Sequence, residues 1–60
     1  MIILLKYKGK SELAFDHGSV YKAKKVNDEG MEGYFIFDEA YDWYWYPLNY
    51  VKENFDIVKE

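Results

Sequence analysis

Sixty residues carrying eight Lys, no Arg, eleven acids and one His, with a formal charge of −3, hold one small domain, because this length lies near the lower limit for a self-sufficient core. The absence of Cys excludes a disulfide framework, a cysteine metal site and thiol-dependent catalysis. Half the chain is hydrophobic and 22% is aromatic, which is too apolar for disorder and suited to strands, while the acidic balance argues against nucleic acid as a partner.

The opening run from Met1 to Tyr7 is short, apolar and closed by Lys8-Gly9-Lys10, which predicts a buried first strand. Lys6 and Lys8 interrupt the run well short of a signal-peptide core or a membrane span, so the chain reads as cytoplasmic with no membrane partner. Ser11 to Gly18 lacks alternation and carries the turn signal Asp16-His17-Gly18; it predicts an excursion with Leu13 and Phe15 tucked inward. Ser19 to Asn27 alternates and predicts a second strand that bends partway, with Tyr21 and Ala23 in the core early and Val26 later.

Asn27-Asp28-Glu29-Gly30 is a hairpin signal, since Asn and Asp favour turn entry and Gly30 tolerates a left-handed backbone. Gly33 to Asp38 follows as a strand that is nonpolar on both faces, with Tyr34 and Ile36 on one side and Phe35 and Phe37 on the other. Asp38-Glu39-Ala40 turns the chain. Asp42 to Tyr46 then puts Trp43 and Trp45 on one face and Tyr44 and Tyr46 on the other. Pro47 ends that strand, Leu48 to Val51 suits a single helical or 3₁₀ turn, and Phe55 to Val58 makes a last strand paired with the first. Five short strands without a long helical pattern predict an all-β fold: a five-stranded antiparallel, strongly curved small barrel over residues 1–60.

Trp45-Tyr46-Pro47-Leu48-Asn49-Tyr50-Val51 resembles the end of a Src homology 3 domain, where a strand leads into a Pro-x-Asn-Tyr-Val turn and a final strand. The resemblance implies a groove for polyproline ligands, with Pro47 and Tyr50 as the counterparts of the family's ligand-contacting Pro and Tyr. The chain is also similar to small barrel proteins of bacteria and their phages in the order Gly18 to Tyr21, Gly30, Asp38-Glu39 and Tyr46-Pro47. That second likeness implies a fold and no activity.

The aromatic run Tyr41 to Tyr46 is the leading functional signal. A curved sheet buries one face of a strand and leaves the other to solvent or a partner. The barrel reading sets Trp43 and Trp45 outward or at the rim, the reverse assignment stays open, and rings filling the core are the competing account. Asp38, Glu39 and Asp42 lie beside these rings as an acidic edge suited to a basic peptide, although turns favour Asp without any ligand. They lack the spacing of a calcium loop, so no metal or other cofactor is expected. His17 beside Asp16 forms no oriented acid/base pair and no nucleophile motif accompanies it, so no enzyme is expected. Lys22, Lys24 and Lys25 form the densest basic patch and read as a solubilising strand surface.

The expectation is therefore a noncatalytic module that presents Tyr41, Trp43, Trp45, Pro47 and Tyr50, edged by Asp38, Glu39 and Asp42, to a protein or peptide partner of basic character. Two other readings stay open: a nucleic-acid-binding barrel that stacks bases on Tyr and Trp, and a self-associating structural subunit whose aromatic face is buried in a homo-oligomer.

Overall fold

The computed structural model describes residues 1–59. It contains strands β1 (Ile3–Tyr7), β2 (Val20–Asp28), β3 (Met31–Phe37), β4 (Trp43–Pro47) and β5 (Phe55–Lys59), with helix α1 (Leu48–Asn54) between the last two. All five strands join one antiparallel sheet in the order β4-β3-β2-β1-β5. The fold is mostly β with one short helix before the final strand, as the strand-and-turn pattern predicts.

The β2–β3 hairpin follows directly from its turn residues. Asp28 pairs with Met31, leaving Glu29 and Gly30 as a two-residue loop with φ of 51° and 83°. Paired positive φ values match the right-handed twist of the flanking strands, and Gly30 takes its share at no steric cost.

The inner face of the sheet collects Ile3, Leu5 and Tyr7 from β1, Tyr21 and Ala23 from β2, and Tyr34 and Ile36 from β3. Val51 of α1 and Phe55 of β5 complete this core with Phe15, which comes from the β1–β2 loop. Phe15 is fully enclosed, with its ring 5.0–5.5 Å from those of Tyr7, Tyr21, Tyr46 and Phe55.

The expected barrel is not closed. β4 and β5 are the two edges of the sheet and do not pair with each other. Tyr46 on one edge strand and Phe55 on the other both pack on Phe15, so the sheet curls around a plug of side chains in place of a last hydrogen-bonded ladder.

Three local expectations are corrected. Leu13 is 98% exposed, not tucked inward; the Glu12 N–H donates to the Phe15 carbonyl at 2.8 Å, and this tight reversal turns Leu13 out as Phe15 goes in. Val26 does not join the core after a bend: alternation keeps it on the face opposite Tyr21 and Ala23, where it is half-buried. The helical segment runs through Asn54, beyond the single turn expected over Leu48 to Val51. Leu48 and Val51, three residues apart, supply its apolar side, Phe55 follows as the extended cap, and the Asn54 side chain donates to the Tyr50 carbonyl at 2.9 Å. The Lys8 N–H donates to the Asn54 carbonyl at 2.7 Å, which ties the helix end to β1. Among the described residues no helix is long and apolar enough to cross a membrane.

Candidate functional site

Strand alternation divides the sheet into the core face and an outer face, and the register fixes what meets on the outside. Phe35 of β3 lies between Lys24 of β2 and Trp45 of β4, while Phe37 lies beside Trp43. Phe37 and Trp43 have ring centroids 5.2 Å apart, and Tyr41 adds a third ring 6.0 Å from Phe37. The indoles are therefore on the outer face, and Tyr44 and Tyr46 are on the core side.

Gly33 explains how the second indole lies. A Cβ at this position would come within 2.5 Å of two Trp45 ring carbons, so the indole covers the glycine and spans β3. Its Nε1–H points to the Val26 carbonyl at a long 3.4 Å. Trp45 is half-buried by this packing, whereas Trp43 is 38% and Tyr41 81% exposed. Lys24 sets its ammonium 4.8 Å from the Trp43 ring centroid, a cation–π contact at the border of the strip.

Tyr41 holds a left-handed backbone with φ of 61°, which costs a non-glycine residue roughly 1–2 kcal/mol. The cost is met by Asp38, whose carbonyl accepts the Tyr41 N–H at 3.0 Å. One oxygen of the Asp38 carboxylate also accepts the N–H groups of Ala40 and Asp42 at 2.9 and 3.2 Å.

The acidic edge consequently divides. Asp38 is 5% exposed and spent on the turn. Glu39 accepts the Tyr21 hydroxyl at 2.7 Å on the core side, and its N–H donates to the Ala14 carbonyl. Asp42 is exposed. Of the expected acids, Asp42 is the one at the strip with no hydrogen bond from its carboxylate to the described residues.

Tyr50 lies apart from the tryptophans, while Pro47 pairs with Gly33 at the outward parity of Trp45. Tyr50 stacks on Tyr46 at 5.1 Å and 20° and approaches Phe55 at 6.4 Å, on the core side of the sheet. Pro47 opens α1 with φ −67° and ψ 155°. The expected surface is thus two surfaces back to back. Reading the Tyr41–Tyr46 run alone missed Phe35, Phe37 and Lys24 as members of the outer strip; the outward parity of Phe35 and Phe37 with Gly33 was the available signal. His17 contacts the Gly9 carbonyl through Nδ1 at 2.9 Å in an exposed loop. No pocket and no group of metal-competent side chains occurs among the described residues, and the strip is an open surface.

The core-side phenols are electrostatically distinct. Burial, followed by the nearby charges of Glu12, Tyr7 and Tyr46, raises Tyr50 from 10.0 to about 12. Burial is also the leading cause of upward shifts at Tyr7, Tyr21 and Tyr46. The folded chain therefore holds these protons more tightly than the unfolded chain. The resulting stability is intact below pH 10.0 and is lost as pH rises towards about 12. Urea midpoints should be flat up to the lower value and then decline, and Tyr50→Phe should shallow the decline.

Compared with protein-family models, curated proteins and solved structures, the chain matches none.

Proposed function

We propose that the chain is a noncatalytic binding module that presents Phe35, Phe37, Tyr41, Trp43 and Trp45 to a protein or peptide partner. The supporting observation is the gathering of these rings on the one sheet face that the core does not use. A strained backbone at the most exposed ring, Tyr41, is the kind of local cost that persists at binding surfaces. Asp42, next to Trp43 in the chain, and Lys24, over the Trp43 ring, set opposite charges close to the strip. The partner is an extended segment with an apolar side chain for the rings and a basic group for Asp42.

The curled sheet is, on this reading, an open form of a Src homology 3-like small barrel. Supporting it are the strand order and the passage from β4 through Pro47 and a helical segment into β5 against β1. Binding at the outer strip does not use the Tyr46–Tyr50 stack.

The double variant Trp43→Ala/Trp45→Ala removes rings outside the core cluster and should stay folded. It should lose about 2–4 kcal/mol of partner affinity, thirtyfold or more, seen as lost recovery in a pull-down from the native cell extract. Undiminished recovery by a folded double variant overturns the proposal. Lys22 and Lys24 share the outward parity of the rings, which gives the nucleic-acid reading its one local support. Quenching of Trp emission by a single-stranded oligonucleotide, weakening with salt, is the result that favours it.

A further inference from the structure

The two edge strands are not equally protected. β5 carries Asp56 and Lys59 and has a register irregularity opposite Leu4 and Leu5, and Asp56 pairs with Lys8 at 3.1 Å. Charges and bulges of this kind keep a sheet edge from accepting another strand. β4, with the sequence Trp-Tyr-Trp-Tyr-Pro, has no charged side chain and no irregularity in its pairing with β3.

The backbone groups of β4 can be assigned to its two sides. The Asp38 N–H donates to the Asp42 carbonyl at 3.0 Å, so Asp42 points its carbonyl at β3. Main-chain direction alternates along a strand, so Tyr44 and Tyr46 also bond β3, while Trp43 and Trp45 turn their N–H and C=O groups to the open side. Pro47 follows on that side with no N–H to give.

We infer that β4 pairs antiparallel with β4 of a second copy of this chain, with the two-fold axis at Tyr44. In this register Trp43 of each copy faces Trp45 of the other, and each such pair exchanges two N–H···O bonds. Every open N–H of the strand is then used, and Pro47 lies beyond the paired stretch. A register centred on Trp45 instead sets Trp43 against Pro47, where a donor is missing and the proline begins α1. Slips by one residue put the aromatic strip of one copy against the core face of the other and are excluded. The self-complementary stretch places no like charges together, although each chain carries −3. The outer strips of the two copies become one surface, and Tyr44, now 56% exposed, is covered by its symmetry mate.

Absence of native Cys makes the test clean. Sedimentation over a concentration series should show a monomer–dimer equilibrium. Tyr44→Lys, which opposes like charges across the axis, should move its midpoint at least about tenfold higher in concentration, while Tyr44→Phe should leave it in place. Tyr44→Cys should oxidise to a disulfide-linked dimer, because directly opposed residues in a non-hydrogen-bonded pair have Cα atoms ~4.5 Å apart, within the disulfide range of about 4.4–6.8 Å. Trp43 and Trp45 amides should be protected from exchange in the dimer and lose protection on dilution. A constant monomer mass overturns the inference. So does a dimer that cross-links through Trp45→Cys but not Tyr44→Cys, or one in which the two amides stay unprotected.

Discussion

Phe15→Ala is expected to leave the chain unfolded at neutral pH and ambient temperature. The side chain is 0% exposed and its ring packs on both edge strands, 5.5 Å from Tyr46 and 5.0 Å from Phe55. Truncating a buried Phe costs ~3–5 kcal/mol. A chain of this size at ~0.05–0.15 kcal/mol per residue has roughly 3–9 kcal/mol in total. Local relaxation cannot recover much of the loss, because the neighbours that would have to collapse inward are held elsewhere. The Tyr7 hydroxyl donates to the Lys10 carbonyl at 2.8 Å, and the Tyr21 hydroxyl accepts the Asp16 N–H at 2.7 Å while donating to Glu39. Circular dichroism and amide dispersion of Phe15→Ala check the expectation. Phe15→Leu, which keeps most of the volume, should cost under about 1.5 kcal/mol. A folded Phe15→Ala variant destabilised by less than about 1 kcal/mol would show that the two edges are held by something other than this ring.

The same residue marks what could be read from the chain before its structure. Strand positions were legible because side-chain alternation and the Asn27–Gly30 turn are local signals, and the inward placement of Tyr21 and Ala23 and the shared face of Tyr34 and Ile36 followed from them. Leu13 and Phe15 share an irregular loop with no period, so hydrophobicity alone could not separate them; the backbone bond from Glu12 to Phe15 does. The sides of β4 were legible as a pair of alternatives, since Trp43/Trp45 and Tyr44/Tyr46 are aromatic sets of similar bulk. Their assignment depends on which face of β3 meets the core, and β3 is nonpolar on both. Asp38 was illegible for a different reason: turn acids are ordinarily solvated, and its burial arises because the carboxylate replaces water at two backbone N–H groups. The division of the expected site into an outer strip and a Tyr46–Tyr50 stack is a matter of tertiary register that no short motif contains.

Gly33→Val is expected to displace Trp45 from the outer face and to destabilise the fold by about 1–3 kcal/mol, the cost of overpacking a filled position. Two effects oppose this. Val has the higher strand propensity, on a scale spanning ~1 kcal/mol, and replacing Gly reduces unfolded-chain entropy by an amount worth about 0.4–1 kcal/mol. The geometry decides against both. A Cβ on Gly33 meets the Trp45 ring carbons at 2.5 Å and also crowds the Tyr46 carbonyl oxygen. That oxygen belongs to the pairing of Tyr34 with Tyr46, so it cannot retreat without opening the β3–β4 ladder. The indole is the part able to move, and moving it breaks the contact with the Val26 carbonyl and uncovers Val26. Trp emission should shift to the red, and urea unfolding should begin at lower concentration; Gly33→Ala should show both changes in weaker form. Because the core cluster lies on the opposite face, the inner packing survives, and partner affinity should fall further than stability does. Unchanged emission together with unchanged stability would mean that the indole does not lie over the glycine, and the continuous outer strip would lose the residue that joins β4 to β2.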